Sequence, residues 1–129
     1  MSRRDLAQPA RGASPLCATS ALNESAREHA LEVTVHLLSA MAHAARLRML
    51  LALSRGGALS AGDLVVASRL EQSAASHQLK VLREARLVSC QREGKRMIYR
   101  LADSHVAQIV EDALAHASEG VPGAPEAAG

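Results

Sequence analysis

Aromatic rings are almost missing from this chain: its 129 residues include no Trp, no Phe and a single Tyr. The core must therefore be assembled from Leu, Val, Ile, Met and Ala, a composition that favours packed helices. The same scarcity excludes binding by base stacking, since single-strand and RNA readers need surface rings that Tyr99 alone cannot supply. Cysteine is equally sparse. Cys17 and Cys90 are too few for a disulfide framework and form no CxxC pair, which fits a reduced compartment. No apolar run approaches the roughly 18 residues needed to span a bilayer, and the first residues lack the apolar stretch of a secretory signal. A cytoplasmic protein without membrane contact is expected. Nor does any nucleophile stand beside an orienting base, or any Gly loop suit a phosphate, so an enzyme is not expected.

What is present is charge, and it is segregated. The formal net charge is only +2. Residues 1–40 are balanced, with four Arg against four acids. Residues 41–101 carry eleven Lys and Arg against four acids, a balance of +7, whereas residues 102–129 carry five acids and no Lys or Arg, a balance of −5. The basic middle suits a polyanion and the acidic end suits a cation.

Residues 1–22 and 120–129 lack periodicity and read as flexible tails around one folded domain, 23–119. Ser25 and Glu28 have the spacing of a capping box and open a first helix that continues to about Leu38. A second helix follows from about His43 to Leu53. Leu47, Leu50, Leu51 and Leu53 are spaced for burial, Arg46 and Arg48 are polar exceptions, and Gly56-Gly57 supplies a left-handed stop.

Two short helices come next, each with a serine at its start. Ser60, with Asp63 three residues on, caps a helix to about Ala67, and Ser73 opens another to about Arg86. The turn-sized link between them makes a helix-turn-helix whose second helix can enter a major groove. At 100° per residue, that helix turns Ala75, Leu79 and Leu82 to one side and Ser73, Ser76, His77 and Lys80 to the other, with Arg83 at the edge. Strand-like runs at 87–92 and 96–101 follow, joined through Glu93-Gly94-Lys95, where Gly can adopt the positive φ of a tight hairpin. Arg92, Lys95 and Arg96 sit at its tip, positioned for phosphate. The expected fold is mainly α with a small β-hairpin, a winged helix-turn-helix that reads double-stranded operator DNA.

The last helix starts at a cap, Asp103 or Ser104, and ends near Glu119. Val106, Ile109, Val110, Ala113, Leu114 and Ala117 form one apolar stripe bordered by His105, Asp112, His116 and Glu119. His116 and Glu119, three apart, can reach one ion. His105 lies about 16 Å away along the axis, too far to join them in one chain. Antiparallel packing of two such helices, as a two-fold homodimer permits, brings Asp103 and His105 of one copy to His116 and Glu119 of the other. Two imidazoles and two carboxylates suit tetrahedral zinc, with cobalt or nickel as alternatives. Each residue also has a plainer role: Asp103 alone is equally a cap, Glu119 a solvated terminal charge, His77 a solvated helix residue. His29, His36 and His43, spaced by seven, stand about 10 Å apart and read as structural or exposed.

Residues 31–119 resemble the ArsR/SmtB family of metal-sensing repressors. The run Ser73-Ala-Ala-Ser-His-Gln-Leu-Lys-Val-Leu-Arg83 is similar to the family's recognition helix, and Gly94-Lys-Arg-Met-Ile-Tyr-Arg-Leu101 to its second wing strand. Asp103-x-His105 with His116-x-x-Glu119 matches its zinc-sensor pattern on the final helix. The resemblance implies a constitutive dimer, joined through the first and last helices, that holds its operator and releases it on binding metal. It also implies a signal from the inward ligand His to a backbone carbonyl after the recognition helix, here that of Arg86. Ser60 stands where sensors with a second site carry Cys, and His43-Ala44 where Asp-Pro often precedes the second helix. A thiol or redox sensor using Cys17 or Cys90, or a constitutive DNA-binding protein with a structural metal, are the other readings this fold allows.

Overall fold

The computed structural model describes residues 23–120, so Cys17 and the segments 1–22 and 121–129, expected as tails, lie outside the described residues. Eight elements follow in order: α1 (Glu24–Met41), α2 (Ala44–Gly56), β1 (Leu59–Ser60), α3 (Ala61–Ser68), α4 (Gln72–Glu84), β2 (Val88–Glu93), β3 (Arg96–Leu101) and α5 (Ser104–Glu119). The chain divides into two compact units, residues 1–36 and 37–129, with α1 running across the division.

In the first unit, Asn23 rather than Ser25 caps α1: its side-chain oxygen accepts the Ala26 N–H at 2.7 Å. Ser25 lies already inside the helix, so the Ser25–Glu28 spacing forms no capping box. Both side chains belong to the class that can cap, and the helix is capped two residues earlier than the spacing suggests. Leu31, Val33 and Val35 are exposed.

The second unit is organised around α2. Met49, Leu50 and Leu53 on one of its sides are essentially inaccessible to water, and α3, α4, α5 and β3 all pack against this helix. Fully burying such side chains stabilises by about 1.5–3 kcal/mol each, and here Leu64 of α3, Leu79 and Leu82 of α4, and Val106 and Val110 of α5 complete the cluster. Leu47 and Leu51, also expected in the core, are half-buried and pack against its edge. His43 caps α2, its Nδ1 accepting the Ala45 N–H at 3.2 Å. Gly57, at φ +83, ends the helix in the region that favours glycine.

The sheet has three strands in the order β1-β3-β2, all antiparallel. β1 is an addition to the expected hairpin. Its two residues pair Leu59 with Tyr99 and Ser60 with Ile98, a strand too short to show any alternation of its own. The one aromatic ring, Tyr99, is buried in this sheet opposite Cys90, and burial followed by the Cys90 contact raises its phenol above the ordinary value.

Ser60 ends β1 and caps α3, in a complete capping box: its hydroxyl accepts the Asp63 N–H at 3.1 Å and its own N–H donates to the Asp63 carboxylate at 3.0 Å. The Ser60 N–H, then its hydroxyl, hold the Asp63 carboxyl below its ordinary range. Glu111 of α5 is lowered likewise, by Arg55 and then Ser54 of α2, at 3.3 and 2.9 Å. Both carboxylates ionise more easily in the folded chain than in the unfolded one. Their contribution is therefore complete above the unfolded values near pH 4 and is lost as pH falls through the lower folded values. Urea unfolding across an acid series should show a declining midpoint in that window. Glu111→Gln should be less stable at pH 7 and decline less steeply.

Candidate functional site

The helix-turn-helix is α3, a three-residue turn and α4. Ser68 fastens the turn from inside. Fully buried, its hydroxyl donates to the Val65 carbonyl at 2.7 Å and accepts the Leu70 N–H at 3.1 Å, while Arg48 of α2 donates to the Ser68 carbonyl at 3.3 Å. Arg69 then takes a left-handed conformation at φ +64, which reverses the chain toward α4. The cap of the second helix falls two residues earlier than expected and is not Ser73. Glu71 occupies the cap position without a side-chain hydrogen bond, and Ser73 lies within the first turn. Its end also differs: α4 stops at Glu84, and Arg86 at φ +62 turns the chain into β2 instead of extending the helix.

The two faces of α4 match their projection. Ala75, Leu79 and Leu82 are buried, and Ser73, Ser76, His77, Lys80 and Arg83 are exposed. In the wing, Gly94 at φ +69 makes the two-residue turn between Glu93 and Arg96. Arg92, Lys95 and Arg96 are all exposed at its tip. An Arg100–Glu93 pair at 3.5 Å bridges the two strands, a surface contact worth little by itself.

At the other end of the chemistry, α5 carries its candidate ligands in two separate pairs. Asp103 is the cap, accepting the His105 and Val106 N–H groups at 2.9 and 3.3 Å through one oxygen, Oδ1. The His105 ring stands 3.5 Å from that oxygen with 89% of its side chain exposed. Asp103 Oδ2 takes no part in the cap. His116 and Glu119 lie in the last turn of the same helix, both exposed. Among the described residues, no three His, Cys, Asp or Glu side chains cluster closely enough to hold an ion, so each end of α5 offers two donors. The nitrogen and oxygen donors fit zinc chemistry, two at a time. Cys90, half-exposed on β2, is a free thiol, and Ser60 is engaged in its capping box.

Residues 43–89 match the model for bacterial regulatory proteins of the arsR family. Over 79 residues, 61% of this chain and 65% of the relative, the sequence is 47% identical to the HTH-type transcriptional regulator NmtR of Mycobacterium tuberculosis. It is 40% identical to the biofilm growth-associated repressor of Agrobacterium fabrum over 65% of this chain and 70% of that one. The chain belongs to the arsR family. A Staphylococcus aureus cadmium resistance regulatory protein, a CadC homolog, is 29% identical over 77% of this chain and 81% of its own length. Among solved structures, the homodimeric winged helix-turn-helix DNA-binding domain of a possible ArsR-family regulator from Mycobacterium bovis superposes with a TM-score of 0.68. It is 27% identical, over 77% of this chain and 91% of that one. The match to NmtR spans just under two thirds of that protein. The winged helix-turn-helix is thus the fold, and the family is one of DNA-binding regulators, not of enzymes. Among the described residues no single helix is long and apolar enough to cross a membrane.

Sequence reasoning did not assign Arg46, Arg48 or Glu111. Their one signal was charge within otherwise apolar stretches, and each has a partner between 20 and 57 residues away in the chain. The double position of Asp103 yields a separable test. In metal-free protein, Asp103→Ala should cost about 1 kcal/mol of unfolding stability through the lost cap, whereas Asp103→Asn, an equally good cap, should cost almost nothing. Urea denaturation of the two variants checks this.

Proposed function

We propose that this protein is a homodimeric, metal-responsive transcriptional repressor acting in the cytoplasm. The metal-free dimer binds a two-fold operator. Ser73, Ser76, His77, Lys80 and Arg83 of α4 face the major groove, and Arg92, Lys95 and Arg96 of the wing reach phosphate. Asp103 and His105 of one α5, with His116 and Glu119 of the α5 of a second copy, would hold zinc, and symmetry gives two such sites. Bound there, zinc links the two helices and favours a dimer that fits the operator less well. The coupling lowers DNA affinity by about 1–3 kcal/mol, and by linkage DNA weakens zinc binding equally. Cobalt and nickel suit the same donors.

The observation that carries this reading is the division of ligands between the two ends of α5. A pair at each end is half of a tetrahedral set, and the helix between them exposes Ile109 and Leu114. Leu31, Val35 and Leu38 of α1 are also exposed, at 46–57% of their surface, an apolar stripe that a second copy would cover. The homodimeric neighbour and the cadmium-resistance relative support the same reading.

Two variants that are each unable to bind zinc test it. Asp103→Ala/His105→Ala and His116→Ala/Glu119→Ala homodimers should each lose both sites. Mixed to form heterodimers, they should regain one site per dimer in a zinc titration, and no recovery would overturn the shared site. On DNA, Lys95→Ala should weaken binding evenly across sequences and reduce the slope of log affinity against log salt by about 0.9, the mark of one lost phosphate contact.

A further inference from the structure

Arg46, in the first turn of α2, joins three helices with one guanidinium. Its Nε donates to the Ala40 carbonyl in the last turn of α1, and its Nη1 donates to Oε1 of Gln78 in the middle of α4. The Ala40 carbonyl is an end group left over by the helix itself. The Leu38 and Ser39 carbonyls accept the Ala42 N–H and the Met41 carbonyl accepts the His43 N–H, which leaves Ala40 to the arginine. Gln78 is half-buried between the exposed His77 and the buried Leu79. The rest of the contact between α2 and α4 is apolar and non-directional, which holds helices together without fixing their rotation. Among the described residues, the Arg46 bond is the one hydrogen bond from an α4 side chain to another helix.

We propose that Arg46 and Gln78 are positioning residues for DNA reading: the guanidinium sets the rotation of α4 against the end of α1, and neither side chain reads a base. The planar fork of arginine suits this role because its donors are fixed relative to one another, whereas a lysine holds a single flexible ammonium. The inference rests on α4 being the reading helix.

The test uses the full-length, metal-free protein and two duplexes of equal length, one selected by the wild type from a randomised pool and one unselected. Arg46→Lys and Gln78→Ala should each weaken the selected duplex about tenfold and the unselected one less than about twofold. Neither should change the salt slope, and the double variant should be no weaker than either single one. Gln78→Glu, which still accepts from the guanidinium, should keep the preference for the selected duplex. Arg46→Gln, which removes the charge, separates the two roles: equal losses on both duplexes with a slope reduced by about one would make Arg46 a phosphate contact and overturn the proposal. Additive losses, unchanged affinity, or loss of preference in Gln78→Glu would overturn it too. If Arg46→Lys does not fold, the two Gln78 variants carry the same decision. A wild-type protein that selects no duplex would instead remove the DNA-reading function from which the strut takes its meaning.

Discussion

Burial of one side of α2 is the constraint on which this molecule depends. Met49, Leu50 and Leu53 leave water completely, and in doing so gather α3, α4, α5 and β3 around one short helix. Apolar burial holds these elements together but specifies their angles poorly. The polar side chains at the margins of α2 add direction: Arg48 to the turn before α4, Arg46 to α4 itself, and Ser54 with Arg55 to Glu111 of α5. The exposed polar face of α4 and the helix α5 with its candidate donors therefore take their geometry from the same thirteen residues.

α5 shows how one helix serves several neighbours. Val106 and Val110 face the core, Glu111 grips α2, and Ile109 and Leu114 remain exposed. The donors near its two ends lie on sides that the core does not use. Val106 and Val110 are committed to the core, so the helix divides its circumference between core and solvent. The charge segregation has the same logic at larger scale. The +7 middle contains α4 and the wing, the −5 end contains α5, and their near-cancellation conceals both.

Where local chemistry and long periodicity agreed, the sequence could be read directly. The faces of α4 followed from 3.6-residue spacing, the hairpin from Gly94, and the start of α3 from the Ser60–Asp63 pair, because each depends on residues within a turn of one another. Helix ends were less legible. Asn23 caps α1 instead of Ser25, and Ser73 lies within α4 instead of before it, since several adjacent polar residues can cap and the neighbouring packing chooses the phase. β1 was invisible for a related reason: a strand of two residues exists through its partner, here Tyr99 and Ile98 of β3.

By itself the sequence determined the class of fold, the exposed polar face of α4 and the candidate donor types near the two ends of the last helix. These properties are written in spacing, and spacing survives without knowledge of the partners. The tertiary structure decided what the charged exceptions do. Arg46, Arg48 and Glu111 resemble ordinary surface charges in a linear reading, and they become struts because the packing of α2 brings Gln78, Ser68 and Ser54 to them from distant parts of the chain. A directional bond depends on where two groups meet in space, and only the folded core brings them there.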